Sequence, residues 1–394
     1  MIWFTEHKKI QTGATNKFPK LNLGGVRFFS GISQTHLRSS YCLIRFRRCL
    51  GQLIFPCGLL TLFWGMTGCA GHSPVTPGMV LGFTRAEPIL AANDLTYTKS
   101  LQVRWLGAAC YLVQLGDRVI FTDPFLTHHS LARVGLGGSL KSDPHTVSNA
   151  LAGLPVPRAI FVGHSHYDHL LDAAECLKQP GWGEVPIYGS VSTRNLLHGY
   201  GERFTNTWQM VVTNSSWQEV AQGIRYKAIL ATHGRQLPLF PLLYAGKVNE
   251  PMRRRPRRAS DFKVGDSYAF LFELSNDQAT NTIYFVDAAH PHQQGFPDDS
   301  VKSVDVAILC APTWELSEGY PGNILQRLKP RHIVASHYDN FFQVNHKPTE
   351  FAPLADMNGF LIRTQNAARY LEFENILVPS VGSVLRLERK ATGP

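Results

Sequence analysis

The chain has 394 residues, 44% of them apolar, which is ample for a buried core, and a formal net charge of +10. That charge is lopsided: residues 1–68 hold nine Lys and Arg against the single acid Glu6, and the 30 basic and 28 acidic side chains that remain nearly cancel. A body so close to neutral lacks the cationic footprint of a nucleic-acid binder, and so apolar a composition excludes a disordered chain.

Taken from the N-terminus, Arg45, Arg47 and Arg48 precede an uncharged, mostly apolar stretch over residues 50–65, followed by small residues and Cys69. Basic, apolar, small is the order of a secretory signal. The stretch is short for a hydrocarbon core of ~30 Å, and Pro56 interrupts it. Residues 66–71, Met-Thr-Gly-Cys-Ala-Gly, resemble the lipobox of bacterial lipoproteins. That resemblance implies cleavage before Cys69, lipid attachment there, and a membrane-anchored protein of the cell envelope facing the periplasm or exterior. An uncleaved anchor or a buried apolar helix is the alternative. The first forty residues fit no signal peptide, so translation is expected to start further on. Residues 1–68 therefore read as an extension with its signal segment, 69–100 as a Pro/Gly-rich tether, and 101–394 as the body.

Within the body, strand-length runs recur: QVRWL, CYLVQL, RVIFT, RAIFVG, YKAILAT, YAFLFEL, TIYFVD, VDVAIL and HIVAS. Helix-like segments at 168–177, 192–198 and 322–328 lie between several of them. Alternation of this kind predicts sheets covered by helices, and the short turns joining the first three runs predict antiparallel hairpins within a mixed sheet. Cys110, Cys176 and Cys310 have no CxxC spacing and read as small buried hydrophobes. Residues 237–261 break the pattern with proline, glycine and five arginines between Arg253 and Arg258; this is a long loop that could meet an anionic group or simply be a solvated charge run.

The chemistry concentrates after RAIFVG, in His164-Ser165-His166-Tyr167-Asp168-His169. Side chains two apart in an extended segment point the same way, so His164 and His166 can grip one ion. Asp168 and His169 follow as the chain turns into a helix and can face a neighbouring ion; helix capping is the competing role for Asp168. Three later strands each end in another candidate ligand, His233, Asp287 and His337. Each alone is commonplace, but together with the six-residue cluster they predict a metal centre. His290, His292 and Tyr338 lie near these ligands in sequence and are weaker candidates for the site.

HSHYDH resembles the HxHxDH signature of the metallo-β-lactamase superfamily, with the later residues in the expected order over roughly residues 101–387. The resemblance implies an αββα sandwich of two mixed sheets flanked by helices. It implies two zinc ions, with manganese or iron also suited to the donor set. His164, His166 and His233 would hold one ion, Asp168, His169 and His337 the other, and Asp287 would bridge them. Asp168, as ligand and proton acceptor, and His337 are the catalytic residues it marks. Asp123, in Phe-Thr-Asp-Pro, matches the early aspartate and would orient ligands, a turn before Pro124 being its alternative. Trp105-Leu106-Gly107, residues 120–125 and residues 166–170 further resemble the branch containing N-acylphosphatidylethanolamine-hydrolysing phospholipase D and ascorbate-phosphate lactonase. That branch usually carries His where this chain has Ala108, and residues 234–235, Gly-Arg, also depart from it.

The expected function is hydrolysis of a phosphodiester, a small molecule or one derived from lipid, with no nucleic-acid partner. Opening of a lactone or β-lactam ring is the alternative within enzymes. A non-catalytic envelope lipoprotein with structural metals is the alternative outside them. Oxygen-reducing diiron chemistry is disfavoured because the superfamily's reductases carry an acid where this chain has His166.

Overall fold

The computed structural model describes residues 100–388, apart from 214–215, 240–241, 291–293, 344–348, 354 and 374. The expected signal segment, Cys69, the tether and His292 lie outside the described residues. Among the described residues, no helix is long and apolar enough to cross a membrane.

Strands β1 (Ser100–Gly107), β2 (Cys110–Leu115) and β3 (Arg118–Thr122) form consecutive antiparallel hairpins, as the short turns predict. Gly116, at φ 61°, makes the second turn possible, since left-handed backbone costs glycine nothing. Three short strands then add in parallel, β4 (Ala159–Phe161), β5 (Ile187–Gly189) and β6 (Trp208–Met210). The second sheet repeats this plan. β7 (Gln218–Ala221), β8 (Ile224–Ala231), β9 (Ser267–Ser275) and β10 (Thr280–Val286) are antiparallel neighbours. β11 (Val306–Cys310), β12 (His332–Ser336) and β13 (Asn375–Leu377) then continue in parallel. The last strand, β14 (Val384–Glu388), returns to the first sheet and pairs with β1, giving seven strands in each sheet.

The inward faces meet in an aromatic core. Tyr111 on β2 packs edge-on to Phe285 on β10 with ring centroids 6.2 Å apart, and Phe161 on β4 lies 4.7 Å from Phe272 on β9. Alternate residues on the same strands, Leu112, Phe121 and Ile160, face outward into a second cluster. Helices α1 (Leu131–Gly135), α2 (Pro144–Leu151), α3 (Tyr167–Leu170), α4 (Ala173–Cys176) and α5 (Val191–His198) all contribute to that cluster. On the second sheet's side, α6 (Gly322–Leu328) and α7 (Met357–Ala368) bury Leu325, Leu328, Phe360 and Leu361. The layers are therefore helix, sheet, sheet, helix, the αββα sandwich expected from the sequence. The three cysteines of the body are free and buried.

The expected helix over 168–177 forms as two single-turn pieces, α3 and α4. Asp172 stands between them, and its buried carboxylate accepts hydrogen bonds from Leu126 N (2.6 Å), Thr127 N (2.7 Å), Thr127 Oγ1 (2.8 Å) and Ser142 Oγ. An acceptor that satisfies four donors from residues 126, 127 and 142 outweighs helix propensity at this position. Asp172 thereby fixes the path of the chain just after Asp123 and Pro124.

Candidate metal centre

Each candidate ligand follows the C-terminal end of a strand, and the strand ends converge on one rim. His164 comes three residues after β4, where Ser165 N donates to Val264 O (2.9 Å) and Ser165 Oγ lies 3.1 Å from both Ser190 Oγ and Thr193 Oγ1. With Ser165 turned into that network, His164 and His166 face the other way together, ring centroids 4.6 Å apart. His166 is the extended residue before α3, and Asp168 and His169 occupy the first turn of that helix. No side chain caps α3, so Asp168 does not serve as its cap.

The three later strand ends complete the cluster. His233 follows β8, and its Nδ1 lies 2.6 Å from Gly234 O, which fixes the ring's edge. Asp287 follows β10, and its Oδ2 lies 2.7 Å from His164 Nδ1 and 3.5 Å from His169 Nδ1. His337 follows β12, with Nε2 at 3.3 Å from His169 Nε2 and 3.4 Å from Asp168 Oδ2. All seven residues, spread over 173 positions of sequence, are thus brought into one cluster. Their donor atoms fall into three sets, each within 4.8 Å: His164, His166 and His233; Asp168, His169 and His337; and His164, His169 and Asp287.

Asp123 joins them, donor by donor. Its Oδ1 accepts the Gly163 amide (2.8 Å), which steadies the strand end, and its Oδ2 lies 3.3 Å from His169 Nδ1, beside a candidate ligand ring. Of the other candidates, Tyr338 is buried with its hydroxyl donating to Pro379 O, and His290 packs beside Tyr284 and Tyr320. Tyr338 is a core residue because its ring fills the space beside Trp105, with centroids 4.8 Å apart. In the arginine loop, Arg255 lies over the Tyr200 ring at 4.8 Å, while Arg253, Arg254, Arg257 and Arg258 are exposed.

Several residues of the site carry no motif signal. Gly163 is one: a Cβ there would collide with the Asp287 carboxylate. The Ala108 carbonyl accepts from His337 N (3.1 Å) and Trp105 Nε1 (2.9 Å), and Ala108 N donates to Asp339 Oδ1 (2.9 Å). This turn ties the β1–β2 hairpin to the loop bearing His337. Six non-glycine residues have left-handed backbone among the described residues, and Ala108, Asp123, Tyr244 and His337 are four of them. Strain of this kind collects where surrounding structure forces a side chain into place.

Electrostatics decide what the cluster suits. Burial pushes the pKa values of His164, His166, His169 and His233 down, so these imidazoles are neutral, the form that donates a lone pair to a metal. Burial also acts to lower His337, but its bond to Asp168 outweighs it and raises the pKa. Burial acts to raise Asp168, yet His169, His337 and His166 overcome it and hold the carboxyl ionised. Asp123 is pushed up by burial and by Asp287. Among the described residues, every ion-pair partner of Asp123, Asp168 and Asp287 is a histidine. The buried Asp123 and Asp287 and the partly exposed Asp168 stand among mostly neutral imidazoles, and Asp287 Oδ1 and Asp123 Oδ2 lack any hydrogen bond among the described residues; burial opposes the charge of Asp123 and Asp287, which a cation would stabilise. The donor set therefore fits divalent metal.

No family model matches the chain. A curated relative from Pyrobaculum arsenaticum, named UPF0173 metal-dependent hydrolase, is 21% identical over 252 residues, 64% of this chain and 90% of its own length. Among solved structures, Igni18, a metallo hydrolase of the archaeon Ignicoccus hospitalis, is 15% identical with a TM-score of 0.45, covering 74% of this chain and 100% of its own. An isothiocyanate hydrolase from Delia radicum gut bacteria is 16% identical with a TM-score of 0.45, covering 73% and 100%.

Proposed function

We propose that this chain is a metal-dependent hydrolase with a dinuclear centre, acting on a phosphodiester. The observation that carries the reading is the position of Asp287. Its carboxylate stands beside His164, which belongs with His166 and His233, and beside His169, which belongs with Asp168 and His337. One carboxylate between two three-residue sets is the arrangement that lets two cations share a ligand. The Pyrobaculum relative's name, metal-dependent hydrolase, supports the reaction class.

His164, His166 and His233 would hold one ion, Asp168, His169 and His337 the other, with zinc the metal best suited to mixed imidazole and carboxylate donors and manganese or iron also accommodated. Such ions would make bound water acidic near neutral pH and polarise a phosphoryl or carbonyl oxygen. The protein's own contribution is placement and charge. Asp168, beside His169 and His337, would be the residue that accepts a proton. Asp123 would help orient His169, its Oδ2 standing 3.3 Å from Nδ1 while Nε2 faces His337.

The phosphodiester reading rests on the branch resemblance in residues 105–107, 120–125 and 166–170. Attachment to the envelope membrane through lipid on Cys69 belongs to the same reading and would bring the site to lipid-derived substrates. The test is metal analysis of the purified chain with turnover of bis-p-nitrophenyl phosphate, a lactone and nitrocefin. Two ions per chain and phosphodiester turnover that chelation abolishes are expected. Turnover of the lactone or nitrocefin alone would move the assignment to ring opening. A fully loaded chain inert on all three would make the metals structural.

A further inference from the structure

We infer that Tyr244 is a substrate-contacting residue, its phenol hydroxyl donating a hydrogen bond to an oxygen of the group held at the His164, His166 and His233 side of the centre. The inference rests on the hydrolase reading above and adds to it a residue outside the metal-binding motif.

Tyr244 lies in the long loop that leaves the site at His233 and returns to it. Leu243 N donates to Gln236 Oε1 (2.8 Å), which closes the loop on itself. Val264 N donates to Tyr244 O (3.0 Å) and Gly265 N to Gly246 O (2.9 Å), which bind its returning arm to the segment entering β9. That segment is the one whose Val264 carbonyl holds Ser165, between the two histidines. The backbone that positions His164 and His166 thus positions Tyr244 as well.

The side chain is placed at a cost. Tyr244 has φ 54°, a left-handed conformation that a bulky residue adopts only when its surroundings impose it. The result sets its ring edge-on to His166, with centroids 6.3 Å apart and planes at 83°. The ring is half-buried against the helical face of the first sheet, while its hydroxyl makes no hydrogen bond among the described residues. A phenol that anchors its ring and leaves its hydroxyl unused beside a metal-ligand cluster has a donor to offer to a third party. A phenol hydroxyl donates one hydrogen bond, which suits a phosphoryl or carbonyl oxygen gaining negative charge.

The test uses the full, metal-loaded chain with Tyr244→Phe and Tyr244→Ala, scored by turnover of bis-p-nitrophenyl phosphate and by calorimetric binding of inorganic phosphate. If the hydroxyl is used, both variants lose at least tenfold in kcat/KM and weaken phosphate binding to a similar degree, with metal content and Tm at parental values. If the ring matters only for packing, Tyr244→Phe matches the parent while Tyr244→Ala falls, and the inference is overturned with the hydrolase reading intact. A parent without turnover whose phosphate affinity still drops in Tyr244→Phe would sink the phosphodiester reading and leave Tyr244 as an oxyanion contact. A parent that neither turns over nor binds phosphate overturns both.

Discussion

The Asp287 carboxylate lies directly over the Cα of Gly163, in the space where any other residue would place its Cβ. Gly163 needs no left-handed backbone here; what it supplies is the absence of a side chain, so that a group from the second sheet can reach between His164 and His169. Gly163→Ala should therefore push Asp287 away without disturbing either core. We expect metal affinity to fall by about tenfold to 100-fold, the range for losing support of a ligand, with Tm of the metal-free chain little changed. Titration with a metal-sensitive dye and a thermal melt in chelator would measure the two effects, and a parental metal affinity would refute the relationship.

Asp172 offers a stability prediction independent of metal. It is fully buried and satisfies four donors from residues 126, 127 and 142. Asp172→Ala strands those donors inside the protein, where each unmet one costs ~1–3 kcal/mol, and partial relaxation should leave a net loss of about 3 kcal/mol. Urea unfolding of the metal-free chain should register it as a lowered midpoint at constant m. Because burial raises the Asp172 pKa, its charged form is itself opposed by the fold. The native conformation therefore gains from this group below the raised value, and that gain is lost as pH rises through it.

Metal binding should depend on pH through His337. Its raised pKa means that the metal-free site holds a proton there at pH values above the ordinary histidine value of ~6.5. A cation must displace that proton, so affinity should fall as pH drops through the raised value, with protons released on binding. The other four histidines have lowered values and compete only in more acidic solution. For the metal-free fold the sign reverses: His337 contributes stability that is complete below its unfolded value and is lost as pH rises through the folded one. Calorimetry in buffers of different ionisation enthalpy would count the protons. Release confined to acid pH would show that His337 is not the group concerned.

The legibility of this chain varied with the length of the signal. Strands β8 to β12 are legible because each is at least five residues long and rich in β-branched or aromatic residues, and ligands follow three of them, β8, β10 and β12. β5, β6 and β13 are three residues each, too short for a period of two to register. The helix expected over 168–177 is broken because the pull on Asp172 comes from residues 126, 127 and 142, distant in sequence. The seven clustered side chains were visible as residue types. Gly163, Ala108 and Tyr244 were not: one acts by lacking a side chain, one through its backbone and one through a strained loop, and none of these leaves a pattern in sequence.

The division of the seven residues into sets gives the sharpest prediction. His233 belongs to the set with His164 and His166 alone, whereas Asp287 is the carboxylate placed against both His164 and His169. His233→Ala should accordingly release one ion and leave the Asp168, His169 and His337 set loaded, while Asp287→Ala should loosen both. Turnover should fall by at least about 100-fold in each, or ~2.7 kcal/mol of barrier, because both ions are asked to act on one substrate. The two variants would thus look alike in activity and differ in metal content: near one ion per chain for His233→Ala and below one for Asp287→Ala. If each variant instead kept one ion, Asp287 would serve a single metal. The pairing of its Oδ2 with His169 at 3.5 Å would then be a packing contact rather than a shared ligand position.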